Sequence, residues 1–301
     1  MDNFNKTERR VARQRSIVWD LPRLLLKSPS GMIGFIIICA VVFIALFADV
    51  LTPYEPDTID LMAMTTPPAW VDGGSGAYLL GTDVLGRDVL TRILIGSRIS
   101  LIVGIFAVVV AGLIGTVFGI LSGYCGGWVD ALIMRITDSF HSIPMILFGM
   151  VALAVVGPGM TTLICVIGIT SWPFYARMIR SETLSLKNQE FVRAARTIGT
   201  STFMIMAKHI LPNVMPSFIV VSTLSVAGSI LTEATLSFLG LGIQPPQVTW
   251  GVMLADGRNY LATNWWISTF PGIALSTTVL GIMLLGNWLR DVLDPKNQGL
   301  G

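Results

Sequence analysis

The stretch GTDVLGRD places Gly81, Gly86 and Arg87 where a phosphate-binding loop places Gly, Gly and Lys. Such a loop wraps phosphate oxygens in backbone N–H groups, and its Lys is followed by a Ser or Thr whose hydroxyl holds Mg²⁺. Here Asp88 follows Arg87, and a carboxylate at that point repels phosphate. No buried strand leads into the stretch, so nucleotide binding is rejected. With two histidines and neither an H-E-x-x-H nor a G-x-S-x-G arrangement, an enzymatic constellation is missing as well. Cys39, Cys125 and Cys165 match no metal-site spacing, and an odd count argues against a disulfide framework. They are expected to be small buried side chains.

Three other features could carry function. Glu233, in SILTEATLSF, is the one acid well inside an apolar stretch. Charge within a membrane span is costly and by default suggests function. Near the outer end of its helix, Glu233 could meet a substrate ammonium group. The simpler reading is a helix-end carboxylate that reaches interfacial water or pairs with a neighbour. Ala111, Gly115, Gly119 and Gly123 recur every four residues and so share one helix face. Small residues there admit a second backbone, from this chain or a partner, and routine internal packing accounts for them equally well.

The third feature is SLKNQEFVRAARTIGTSTFMIMAKHILPNVMP. Glu190 to Ile198 favours helix. Gly199 breaks it, and Thr200-Ser201-Thr202 offers an N-cap. Phe203, Met204, Met206 and Ala207 then begin a second, apolar-faced helix, which Leu211-Pro212 is expected to end. An apolar face on a polar loop fits a protein contact or a helix lying on the membrane surface.

The elements that position these residues follow from composition. Of 301 residues, 53% are hydrophobic and 13% charged, and the mean hydropathy is +0.72. Soluble domains carry about a quarter charged residues, so lipid is part of this chain's solvent. A spanning helix needs about 20 mainly apolar residues. Six stretches qualify, near 31–51, 100–122, 131–156, 161–178, 214–236 and 270–288. The first is longer than a signal-peptide core and reads as an uncleaved anchor. With the N-terminus inside, only Arg87, Arg92, Arg98 and Arg258 of the 20 Lys and Arg fall outside, which places both termini in the cytoplasm. The stretch Gly81–Asp88 then lies in a long outer loop, where Asp83, Arg87 and Asp88 are expected to form a local charge network. Arg135 and Asp138, spaced i,i+3, are expected to pair. His141 reads as a hydrogen-bonded helix residue, and Trp250, Trp265 and Trp266 read as an interfacial belt. The fold class is all-α and polytopic, with six transmembrane helices.

The spacing Ala194-Ala195, three residues, Gly199, then Leu211-Pro212 resembles the cytoplasmic EAA loop of ABC-importer permeases. Arg193 stands where that family has Glu, and His209 where an aliphatic residue is usual; Glu190, about a turn earlier, could replace the acid. The blocks YLLGTDVLGRDVLTRILIGSRISL, SGYCGGWVDALIMRITD, EATLSFLGLGIQPPQVTWGVML and GNWLRDVLDPK extend the resemblance over nearly the whole chain. They look like the C-type permease of dipeptide and oligopeptide importers, a group that also includes nickel and glutathione permeases. The resemblance implies the transmembrane domain of a type I ABC importer. It divides the chain into a cytoplasmic segment (1–30), a first helix (31–51), an extracytoplasmic loop (52–99), a five-helix core (100–290) and a cytoplasmic tail (291–301). Within the core, 182–212 is implied to be the coupling loop, with Glu190, Arg193, Ala194, Ala195, Gly199, Leu211 and Pro212 meeting the ATPase. It further implies a bacterial inner-membrane heterodimer with a homologous permease, two ATP-binding subunits that hydrolyse ATP with Mg²⁺, and an extracytoplasmic binding protein delivering a short peptide. This chain would bind no cofactor itself. A secondary transporter would need its own ion-coupling site, and Glu233 is the only intramembrane acid.

Overall fold

The computed structural model describes residues 21–293. Expectations for residues 1–20 and 294–301 lie outside the described residues. Among those described there is no β-strand; an isolated bridge joins Thr82 and Asp88.

Helix α1, Pro29–Leu51, starts where Ser28 accepts a hydrogen bond from the Gly31 N–H at 3.2 Å, with Pro29 at the position where a missing N–H costs nothing. Helix α2, Val89–Cys125, has 37 residues, about 55 Å at 1.5 Å per residue. It begins at Val89 rather than Ser100 because Asp88 caps it, its carboxylate accepting from the Thr91 N–H at 2.7 Å. The charges in its first turns are satisfied from afar: Arg92 pairs with Asp83, and Arg98 pairs with Asp49 at 2.9 Å.

The expected single span 131–156 is two helices, α3 (Gly127–Ser142) and α4 (Met145–Val156), bent by 86°. Pro144 cannot donate to the helix ladder and disfavours helical backbone at Ile143, which is extended at φ −90° and ψ 123°. Among the described residues, five helices are long and apolar enough to cross a membrane, six if the bent pair counts as one span. Helix α5 is Met160–Lys187. Helix α6 (Glu190–Thr197) and α7 (Thr202–Ile205) follow, then a π-helical turn, Met206–Ile210, that feeds directly into α8, Leu211–Phe238. The expected stop at Leu211-Pro212 is therefore absent. Pro212 falls in the first turn of α8, where proline is tolerated. Helices α9 (Trp250–Gly257) and α10 (Trp266–Leu293) complete the described chain.

The longest packing seam joins α2 to α5; α8 lies against α2 and α10, and α1 against α10 and α2. The small-residue stripe makes that seam. A Cβ added at Gly119 would sit 2.7 Å from the Ile179 Cβ and 2.8 Å from the Ala176 carbonyl, and one at Gly123 2.7 Å from the Thr183 Cβ. Gly115 faces Tyr175 and Trp172, and buried Ala111 continues the row. The stripe is thus an internal contact of this chain. Arg135 does not pair with Asp138; Arg177 of α5 does, at 2.8 Å. All three cysteines, expected buried, are exposed on helix surfaces.

Candidate coupling segment, outer clamp and transmembrane cavity

At the end of the seam near Cys125, α6 is rooted by its apolar face. Val192 and Ala195 are buried with Ile120, Tyr124, Ile179, Ile205, Ile210 and Val214. Glu190, Arg193 and Ala194 point away and are exposed. Gly199 ends the helix at φ +82°, a conformation that strains any residue with a Cβ. The Thr200 N–H bonds the Ala195 carbonyl and the Gly199 N–H bonds the Arg196 carbonyl, both at 3.1 Å, which closes the helix C-terminus. Ser201 then caps α7, accepting from the Met204 N–H. The reversal leaves Ile198 82% and Phe203 74% exposed. Leu211 is half-buried and Pro212 exposed, both on α8 behind the turn.

Sequence reasoning missed Tyr124. The Arg196 guanidinium donates to its hydroxyl at 3.2 Å and lies 5.6 Å from its ring centre, while Lys187 donates to its carbonyl at 2.5 Å. Tyr124 thereby ties α6 to the end of α2. Its partner Arg196 lies 72 residues along the chain, so nothing local in the sequence marks the contact.

At the opposite end of α2, residues 52–88 fold into a clamp. Asp83 organises it. One carboxylate oxygen accepts from the Leu85 and Arg87 N–H groups at 2.8 and 3.0 Å, and the other pairs with Arg87 at 2.7 Å and with Arg92. Both arginines also reach Asp256 of α9 at 3.3 Å. The charge network is therefore real but composed differently: Asp88 caps α2 instead of joining it, and Arg92 and Asp256 take part. Trp266 and Trp250 are buried and donate to the carbonyls of Thr82 and Ile93 at 3.0 Å. They are internal anchors, whereas Trp265 is exposed. Tyr78 donates to Asp60 at 3.1 Å; burial and that bond raise its phenol above its ordinary pKa.

Glu233 does not line the cavity that opens beside it on α8. It is fully buried, accepts from the Ser237 hydroxyl at 2.7 Å, and faces the Ser100 and Thr249 hydroxyls. Of the two readings its sequence position allows, a contact with a substrate ammonium group or a pairing with a neighbour, this arrangement shows a neighbour contact, with α2, α8 and the turn into α9 around it. About a turn away on α8, a cavity of about 250 Å³ opens between α2, α5, α8 and the end of α3. His141, Thr170, Ser171, Tyr175, Ser225, Ser229 and Thr232 supply its polar wall.

Against this geometry, comparison with known proteins is informative. The family model described as "binding-protein-dependent transport system inner membrane component" matches residues 115–299. The chain belongs to this family. A second model, the N-terminal transmembrane domain of oligopeptide transport permease C, matches residues 18–68. The permease is 41% identical over 263 residues to the di/tripeptide transport system permease protein DppC of Pseudomonas aeruginosa, covering 87% of each chain. It is 40% identical to the glutathione transport system permease protein GsiD of Pectobacterium atrosepticum, covering 91% of this permease and 89% of that one. The oligopeptide transport system permease protein OppC of Bacillus subtilis is 38% identical, with 95% and 92% covered. Among solved structures, the inward-facing MetNI methionine ABC transporter shares the fold, with a TM-score of 0.56 at 21% identity over 68% of this permease and 96% of that chain. The protein is a multi-pass membrane permease subunit of a bacterial ABC importer.

Proposed function

We propose that this permease forms half of the translocation pathway for short peptides, paired with a homologous permease and driven by two separate ATP-binding subunits. ATP and Mg²⁺ are held and hydrolysed there, and an extracytoplasmic binding protein delivers the substrate. Both termini are cytoplasmic. The reading rests foremost on the α6–Gly199–α7 reversal, a rooted segment with an exposed apolar tip at one end of α2 while the clamp sits at the other. In this reading the ATPases meet the end that carries the reversal and the binding protein meets the end that carries the clamp. The peptide substrate is supported by relatives named for di/tripeptide, oligopeptide and glutathione transport. Closure of the ATPases displaces α6, and the rigid α2–α5 seam carries the displacement across the membrane as a rocking of helices.

Reconstitution with the cognate partners tests this. Dipeptide uptake should require ATP and the binding protein, and should stop when the Walker lysine of the ATPase is changed. Uptake by this chain alone, driven by a proton or sodium gradient, overturns the ABC assignment. A cognate binding protein that binds Ni²⁺ and ignores peptides overturns the substrate.

A further inference from the structure

We infer that the cavity between α2, α5, α8 and the α3–α4 break is a transit site that holds the peptide through its backbone amides rather than its side chains or charged ends. The inference rests on the proposed peptide substrate and assigns it a place in this chain.

Several observations converge on that cavity. It lies mid-way along α2 (Val108, Ala111) and α5 (Thr170 to Tyr175), remote from both helix ends. Through His141 it abuts the 86° break between α3 and α4, and irregular backbone at membrane depth is tolerated where it is buried in protein or lines a water-filled cavity. Its wall holds no Asp, Glu, Lys or Arg. Ser225, Ser229 and Thr232 fall at i, i+4 and i+7, one face of α8. Hydroxyls both donate and accept; Thr232 and Thr170 donate to carbonyls of their own helices and so offer acceptors to amide N–H groups, while the serines can serve N–H and C=O groups alike, whatever side chain follows. A site without fixed charge also holds its occupant loosely enough to release it, which passage requires.

Tyr175 adds the independent mark. It is 1% exposed, and its hydroxyl lies beside the Ser222 and Ser225 hydroxyls, close enough to interact with both. A hydroxyl can accept from one neighbour while donating to another, so Tyr175 can accept from a serine and still donate to a peptide carbonyl in the cavity.

The test uses the full complex of both permeases, ATPases and binding protein in proteoliposomes. A dipeptide carrying a diazirine side chain is photolysed during turnover, and the cross-links are mapped by mass spectrometry. They are expected on the cavity wall, at Ser225 to Thr232 or Thr170 to Tyr175. Tyr175→Phe and Ser229→Ala are each expected to lower dipeptide uptake about five- to tenfold, the worth of one hydrogen bond. Tyr175→Phe should at the same time leave complex assembly and the melting temperature near those of the wild type; a purely structural tyrosine would lower stability together with uptake. No dipeptide uptake by the wild-type complex overturns the peptide assignment and the site with it. Wild-type uptake with cross-links confined elsewhere, or with both variants transporting normally, overturns the site alone.

Discussion

If the α2–α5 seam is rigid because backbones touch, one methyl group should loosen it. Gly119→Ala puts a Cβ 2.7 Å from the Ile179 Cβ and 2.8 Å from the Ala176 carbonyl. Ordinary carbon contacts lie at about 3.5–4.0 Å, so the two helices must part by roughly 1 Å. Neither obstacle can rotate away, one being backbone and the other a Cβ fixed to it. Overpacking of this kind costs about 1–3 kcal/mol, while the gain in helix propensity of Ala over Gly returns at most about 1 kcal/mol. Gly272→Ala is the matched control: it lies in α10, where the nearest atom to a new Cβ is Leu254 Cδ2 at 3.6 Å. Thermal unfolding of the purified complex in detergent should show a lower midpoint for Gly119→Ala, and an unchanged or higher one for Gly272→Ala. Uptake should fall with the former, because a parted seam transmits less of the α6 displacement. Equal midpoints for the two variants would refute the close-packing argument.

Three further outcomes follow from the ends of the seam. Asp83→Asn removes one of the two carboxylates that hold buried Arg92 and leaves only Asp256, so the loss should stay below the about 3–5 kcal/mol of a fully stranded buried charge; protease should cut 52–88 faster in this variant, and wild-type resistance would count against the clamp. Arg196→Ala severs α6 from Tyr124, so ATPase subunits should still co-purify while transport per ATP hydrolysed falls; unchanged coupling would remove Tyr124 from the path. Gly199→Pro cannot adopt φ +82° and loses the N–H bonded to Arg196, so transport or ATPase assembly should be lost, and normal values for both would exclude the turn from coupling.

The all-helical membrane architecture was legible because hydropathy reports burial in lipid and apolar runs of span length have few other uses. What the sequence hid was set by distant partners. Arg92 and Arg98 made the start of α2 look like loop, and they sit in helix because Asp83 and Asp49 neutralise them. Pro144 did announce the break in the third span, but the apolar residues on both sides read as one run. Pro212 looked like a terminus and lies in the first turn of the next helix. The reversal at Gly199 was readable from local chemistry, a glycine followed by a capping serine. Tyr124 and Tyr175 were not, since their meaning comes from α6 and from the cavity. The hydroxyls Ser225, Ser229 and Thr232, spaced along one face of an apolar helix, were the available signal for that cavity and went unread.

The clamp has a consequence for the order in which the molecule is made. Arg87 and Asp256 are 169 residues apart, and chains are synthesised from the N-terminus. Asp83 can hold Arg87 and Arg92 as soon as α2 has begun, but the third partner does not exist until six more helices, α3 to α8, have been translated and α9 has packed beside the start of α2. Contacts of such sequence separation form slowly, because the intervening chain must first be ordered. The clamp is therefore locked late although it is made among the first. Its locking records that α9 has reached its place, and a nascent chain stopped short of Asp256 would carry an unlocked loop that quality-control proteases can recognise.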